Sequence, residues 1–237
     1  NPVIGRFTQE DTYRGDGLNL YAYCANNPVY YVDPSGNVIC RSKALVLKAK
    51  RNYYNKYNLK LKRKDIKQLE EYEKVYGDFA EDVSKYLDLD YSKIRAYKGI
   101  DIHDIPVEIR ADPRLLVEMP YIGKKSNANA AGWKRDQNEH ARNLLSSNPE
   151  FWSNENKLRI KLEGKIPVVD EEFIKYFPQY KDFLGDELRH HHIGGGGQVI
   201  FVPESLHKGF GGIHNVEKIF GIRDNDYLTE IMKNRKE

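Results

Sequence analysis

Five of the seven histidines lie between positions 190 and 214, as the run His190-His191-His192 followed by His207 and His214. Histidine titrates near neutrality and is the commonest protein metal ligand, so this crowding beside Gly194-Gly195-Gly196-Gly197 predicts a metal site with a base next to it. That pairing suits hydrolysis, in which a divalent ion offsets negative charge at the bond under attack and a neutral imidazole takes a proton from water. A histidine committed to a metal cannot also be the base. Neighbours on an extended strand point to opposite sides, so adjacent histidines can divide the two roles. The run is internal and patterned with later histidines, which distinguishes it from a terminal purification tag. A structural metal site is the other reading, although structural zinc usually recruits thiolates, and Cys24 and Cys40 lie far from the cluster in sequence.

The histidines need elements to hold them. The His-rich segment, the glycine turn and the apolar run Val199-Ile200-Phe201-Val202 predict a β-hairpin. His207 and His214 are two helical turns apart, but Gly209, Gly211 and Gly212 argue against one regular helix, and a loop is expected to carry His214 back to the metal. Upstream, Trp133 to Leu145 reads as an amphipathic helix with Trp133, Ala141, Leu144 and Leu145 toward the core, stopped at Asn148-Pro149. Asn154 to Leu162 suggests a short helix, and Gly164 to Val169 a turn into an extended run. Asp170 is placed as the N-cap of a helix that buries Phe173, Ile174 and Phe177, which makes Glu171 and Glu172 helix-start acids. From Lys43 to Tyr97 the steps Ile66, Leu69, Tyr72, Val75, Tyr76, then Phe79, Val83, Tyr86 and Leu87, predict an αα unit. Asp101, His103, Asp104 and His140 carry ligand chemistry, but isolated histidines of this kind are read as structural.

The stretch from Phe151-Trp152 through Gly164-Lys165-Ile166-Pro167-Val168-Val169-Asp170-Glu171 and Phe177-Pro178-Gln179 to Leu188-Arg189-His190-His191-His192-Ile193, Val202-Pro203, His207 and His214 resembles the HNH/endonuclease VII superfamily of ββα-metal nucleases, in particular colicin-like DNase and tRNase toxin domains. The resemblance implies a metal-dependent endonuclease in which the first histidine of a pair is a ligand and the second is the general base. Carried over, His191, His207 and His214 are metal ligands and His192 is the base, making His191 and His192 the catalytic pair. Ile193 after the pair favours this register over His190-His191. No asparagine stands at the middle HNH position. Arg189 and Lys208 are read as phosphate contacts. Three imidazoles favour zinc, with nickel or magnesium as alternatives.

Residues 1 to 37 are rich in turn signals, with short β-prone runs at Leu18 to Tyr23 and Val29 to Val32. Ile4-Gly5-Arg6-Phe7-Thr8-Gln9-Glu10-Asp11, Leu18-Asn19-Leu20-Tyr21-Ala22-Tyr23, Asn26-Asn27-Pro28 and Asp33-Pro34-Ser35-Gly36 resemble the end of an RHS-repeat (YD-repeat) associated core, which precedes a variable C-terminal toxin and releases it by self-cleavage at two aspartates. Asp11 and Asp33 match those positions, whereas Thr12 and Asn37 depart from the pattern. The expected organisation is an RHS-associated segment (1–37), a basic helical linker (38–110) and the nuclease (111–237). The fold class is α+β: mostly helical, with a small ββα-metal motif at the C-terminus and short strands at the N-terminus.

Net charge is only +3, but ten basic residues and no acid occupy Val38 to Lys64, with Tyr53, Tyr54 and Tyr57 among them. Such a block suits an anionic partner or a solvated helix face. No stretch approaches the roughly twenty apolar residues of a membrane span, and the chain opens on Asn1-Pro2, which reads as a piece of a longer polypeptide with any export signal upstream. The resemblances together imply a secreted interbacterial toxin that acts in the target cytoplasm. DNA is the first substrate and tRNA the alternative; a cognate immunity protein and the RHS shell of the parent polypeptide are the expected partners. A non-enzymatic shell module with a structural metal is the competing hypothesis.

Overall fold

The computed structural model describes residues 41–76, 89–207 and 212–235. The expected N-terminal strands, Asp11, Asp33, both cysteines, the apolar steps from Phe79 to Leu87, and Lys208 lie outside the described residues.

Helix α1 (Arg41–Lys56) is apolar on two faces, and each face has a different neighbour. Ala44 and Leu47, three apart, meet Leu69 and Tyr72 of α2 (Arg63–Tyr76), while Leu45 and Ala49, four apart, enter the main core. Ion pairs Lys50–Asp65 at 2.7 Å and Arg51–Glu73 at 2.8 Å close the edge of this αα unit. Ile66, an expected core step, is instead 41% exposed. Tyr53 of the basic block packs edge-on against Phe220.

From Tyr91 to Leu115 the chain runs through short 3-10 turns rather than a continued helix. Asp90, Asp101 and Asp112 each accept a hydrogen bond from the backbone N–H two residues ahead, which pins three of these turns. Ile94, Ala96, Tyr97, Ile105, Ile109, Ala111 and Leu115 are buried in the same cluster as the sheet residues, so one core crosses position 110.

The sheet has three antiparallel strands in the order β1-β3-β2: β1 (Val117–Glu118), β2 (Leu188–His192) and β3 (Gln198–Pro203). All six residues of β3 are buried, as befits a central strand covered on both faces. Its register with β2 pairs His190 with Phe201, His191 with Ile200 and His192 with Val199.

Helix α3 (Gln137–Ser147) starts four residues later than the expected Trp133, because Asp136 caps it by accepting from Glu139 N–H. Trp133 is buried in the preceding loop and donates from Nε1 to Thr229 at 2.8 Å. The Asn148-Pro149 stop and the Asp170 cap stand where the sequence analysis put them. Asp170 begins α5 (Glu171–Tyr176) and also accepts from Ser153 and Asn156 at the start of α4 (Asn154–Leu158), tying two helix N-termini together. Two short helices, α6 (Glu204–His207) and α7 (Gly212–Ile219), follow the hairpin, and α8 (Tyr227–Asn234) ends the described chain.

The hairpin turn depends on glycine. Gly194 has φ of 60°, and a Cβ there would collide with the Ile222 carbonyl oxygen. Gly194→Ala therefore combines backbone strain with a steric clash, and denaturant titration is expected to show a loss of about 2–4 kcal/mol. A loss below about 0.5 kcal/mol would mean that the turn tolerates a side chain.

Candidate metal centre and adjoining histidine cavity

Alternation along β2 splits the histidine triplet. His191 is fully buried on the side facing α6 and α7, where His207 and His214 approach it. One ring nitrogen from each of the three lies within 4.8 Å of the others. Two Zn–N bonds span at most about 4.2 Å, so small ring movements would close this set around one ion. His214 does not come from a loop: it stands in the first turn of α7, and His207 ends α6.

Glu217 completes this side and was missed in the sequence. It lies three residues after His214 on one helix face and is 2% exposed. Its Oε1 accepts from His191 Nε2–H at 2.7 Å and from Gly194 N–H at 2.7 Å. That bond places the His191 hydrogen on Nε2, leaving Nδ1 as a lone-pair nitrogen that is buried without a hydrogen-bond partner. An orphaned imidazole nitrogen beside two further imidazoles fits a soft or borderline divalent ion, and a carboxylate behind a ligand histidine is the usual way to orient it. The His214–Glu217 spacing was the available signal, obscured because the glycines argued for a loop.

His190 and His192 project to the other side of β2 but open, with His207 and His214, into one cavity of about 800 Å³. Its walls include Asn127, Asn129, Arg135, Arg223 and Lys233. His192 Nδ1 donates to the Gly196 carbonyl at 2.8 Å. Burial lowers the pKa of His192 to about 4 and of His190 to about 2, and it also lowers that of His214, so these imidazoles are neutral at pH 7. The glycine turn is braced from two directions: Asn129 Nδ2 donates to the Gly195 carbonyl at 3.0 Å, and buried Asp226, bound to Arg95 at 2.8 Å, accepts from Gly197 N–H.

Residues 113–215 match the family model of an HNH/Endo VII superfamily nuclease toxin with a HHH motif. Neither curated proteins nor solved structures yield a match. The matched stretch contains β1, the whole β2–β3 hairpin, His207 and His214, but stops short of Glu217.

Arg189 does not reach the cavity. Its Nη2 pairs with Glu187 at 2.7 Å and Glu204 at 3.0 Å, which offset the charge read as a phosphate contact. Arg135 and Arg223, which the sequence did not single out, line the cavity instead. Asp101 and Asp104 both bind Lys56, and among the described residues they form no ligand group with His103. Helix-start Glu172 pairs with Lys175, in line with a structural part.

Two outcomes follow from this geometry. Glu217→Gln keeps the shape but removes the charge behind His191, and calorimetry is expected to show zinc affinity reduced roughly tenfold or more; unchanged affinity would make Glu217 a core residue only. Burial also holds His140 down to about 3 against 6.5 when unfolded. The unfolded chain therefore takes up a proton first, so stability is complete above about pH 6.5 and falls toward pH 3, by up to about 1.4 kcal/mol per unit. Denaturation at pH 7, 6, 5 and 4 should show a shallower decline in His140→Phe.

Proposed function

We propose that this chain is the toxin end of an RHS-type polymorphic toxin, a metal-dependent endonuclease that hydrolyses phosphodiester bonds of DNA in a target cell. The observation that carries this reading is the convergence of His191, His207 and His214 on one side of β2, with the next residue, His192, opening to the same cavity. The family match adds a nuclease toxin to that chemistry.

In this reading His191, His207 and His214 hold a divalent ion, zinc by preference for three imidazoles. When bound, the ion supplies positive charge against the scissile phosphate and the departing oxygen. His192 is the general base. The Gly196 carbonyl holds its hydrogen on Nδ1 and leaves the lone pair on Nε2, which takes the proton of an attacking water once that water displaces the contact with His190 Nε2 at 3.0 Å. As that proton leaves, the water oxygen bonds to phosphorus and the bond to the departing sugar oxygen breaks. Arg135, Arg223 and Lys233 on the cavity walls attract the polyanion.

The wider biology is part of the same proposal. Delivery from a producing bacterium, the RHS shell and a cognate acidic immunity protein rest on the resemblance, and so does self-cleavage at Asp11 and Asp33. Among the described residues no helix is long and apolar enough to cross a membrane.

The deciding experiment incubates the protein and His192→Ala with supercoiled plasmid and, separately, with total tRNA, adding zinc, nickel, magnesium or chelator. The expected result is metal-dependent nicking of plasmid, reduced at least about a hundredfold in a variant that still binds zinc. Cutting of tRNA alone would reassign the substrate to RNA. A folded, zinc-loaded protein that cuts neither, and loses only stability on chelation, would identify a structural metal site.

A further inference from the structure

His190 has no part in the reaction proposed above, yet it lies on the cavity wall with His192, two residues away on the same face of β2. Their Nε2 atoms are 3.0 Å apart, and the ring planes stand at 80° to each other, so the rings meet through nitrogen rather than by stacking. Each ring has a partner behind it at Nδ1: the Gly196 carbonyl at 2.8 Å for His192, and His140 Nδ1 at 3.1 Å for His190. His140 is itself fixed, fully buried on α3 with its ring stacked on Phe201 at 4.0 Å between centroids.

Two imidazoles that converge in this way form a bidentate chelate. With metal–nitrogen bonds of about 2.0–2.1 Å, nitrogens at a right angle around an ion lie about 2.9 Å apart, and at the tetrahedral angle about 3.4 Å. The observed 3.0 Å fits the right angle, the preference of tetragonal copper(II) or nickel(II) rather than of zinc. A neutral imidazole has one hydrogen for two nitrogens, so in the metal-bound state both rings carry it on Nδ1, facing the Gly196 carbonyl and His140. A ligand histidine backed by an acceptor at its other nitrogen is the common arrangement in metal sites. Arg135 and Arg223 on the cavity walls repel a cation, which makes this centre weaker than the three imidazoles that lie within 4.8 Å of one another on the other face.

We propose that His190 and His192 form a second metal site, a bidentate one for copper(II) or nickel(II), whose occupation switches cleavage off. The inhibitory part rests on the reading of His192 as general base. An ion on His192 Nε2 takes the lone pair that would receive the proton of water, so that nitrogen serves either the ion or the water and never both at once. Metal ions thus act in opposite directions on the two faces of β2: zinc at His191, His207 and His214 supports cutting, and a tetragonal ion at His190 and His192 stops it.

The test adds copper(II), without reductant, to zinc-loaded protein and follows zinc content, copper uptake and the electron paramagnetic resonance spectrum. The expected result is one copper bound per chain with zinc retained, a tetragonal spectrum with coupling to two imidazole nitrogens, and loss of plasmid cutting in step with copper uptake. His190→Gln and His192→Ala should each weaken uptake by at least about tenfold, the lower end of what even an outer partner of a ligand contributes. In His190→Gln, cutting should also resist copper. Copper that enters only as zinc leaves, a spectrum without the two nitrogens, or wild-type uptake in both variants would show a hydrogen-bonded pair only and overturn the site. Copper bound at the pair with cutting unimpaired would overturn its inhibitory part. If the wild type cuts no nucleic acid with zinc alone, the endonuclease reading fails on its own, and copper uptake and the spectrum still decide whether the second site exists.

Discussion

The alternation of side chains across β2, locked by its antiparallel register with β3, is the constraint on which the rest of the site depends. A strand places successive residues on opposite faces, and a slip of one residue would exchange every face. Here that rule sends His191 into the protein toward His207 and His214, and turns His190 and His192 to the other side. The register is held by burial, since all of β3 is covered and a slip would drive polar partners into the core. Three identical residues therefore acquire different environments from backbone geometry alone.

Polar groups buried around the hairpin convert that placement into defined nitrogen chemistry. Glu217 accepts from His191 and from Gly194 with the same oxygen, so one carboxylate orients a ligand-type histidine and ties down the turn. On the opposite side the Gly196 carbonyl determines which nitrogen of His192 carries its hydrogen. Asp226 anchors the same turn while capping α8, and Arg95 reaches it from the 3-10 segment. Buried polar groups are costly unless satisfied, so such networks favour one arrangement of the turn over others.

Much of the site's inventory was legible in the sequence, because residue type and strand periodicity are local properties. The hairpin and the Asp170 cap follow from short-range pattern, whereas the His191/His207/His214 grouping was what the resemblance implied. The misreadings share one cause. Trp133 was assigned to a helix and His214 to a loop because tryptophan suits an apolar helical face and glycine suits a loop, yet capping by Asp136 and packing of α7 on the hairpin decided otherwise. The ion pairs of Arg189 with Glu187 and Glu204 likewise depend on the hairpin and α6 rather than on local pattern. Most of the aspartate-pinned 3-10 turns between Tyr91 and Leu115 have no hydrophobic period to announce them.

By itself, the sequence determined the chemical vocabulary: neutral-range bases in excess, a glycine turn, a strand that splits neighbours, and a resemblance to histidine-metal nucleases. Only the tertiary structure decided which groups meet. Glu217 behind His191, His140 within 3.1 Å of His190, and Arg135 with Arg223 on the cavity walls come from elements distant in the chain. Such meetings depend on how helices pack against the sheet, and packing is set by the summed burial of residues such as Phe173, Phe177, Tyr180 and Phe201 rather than by any local pattern around the histidines.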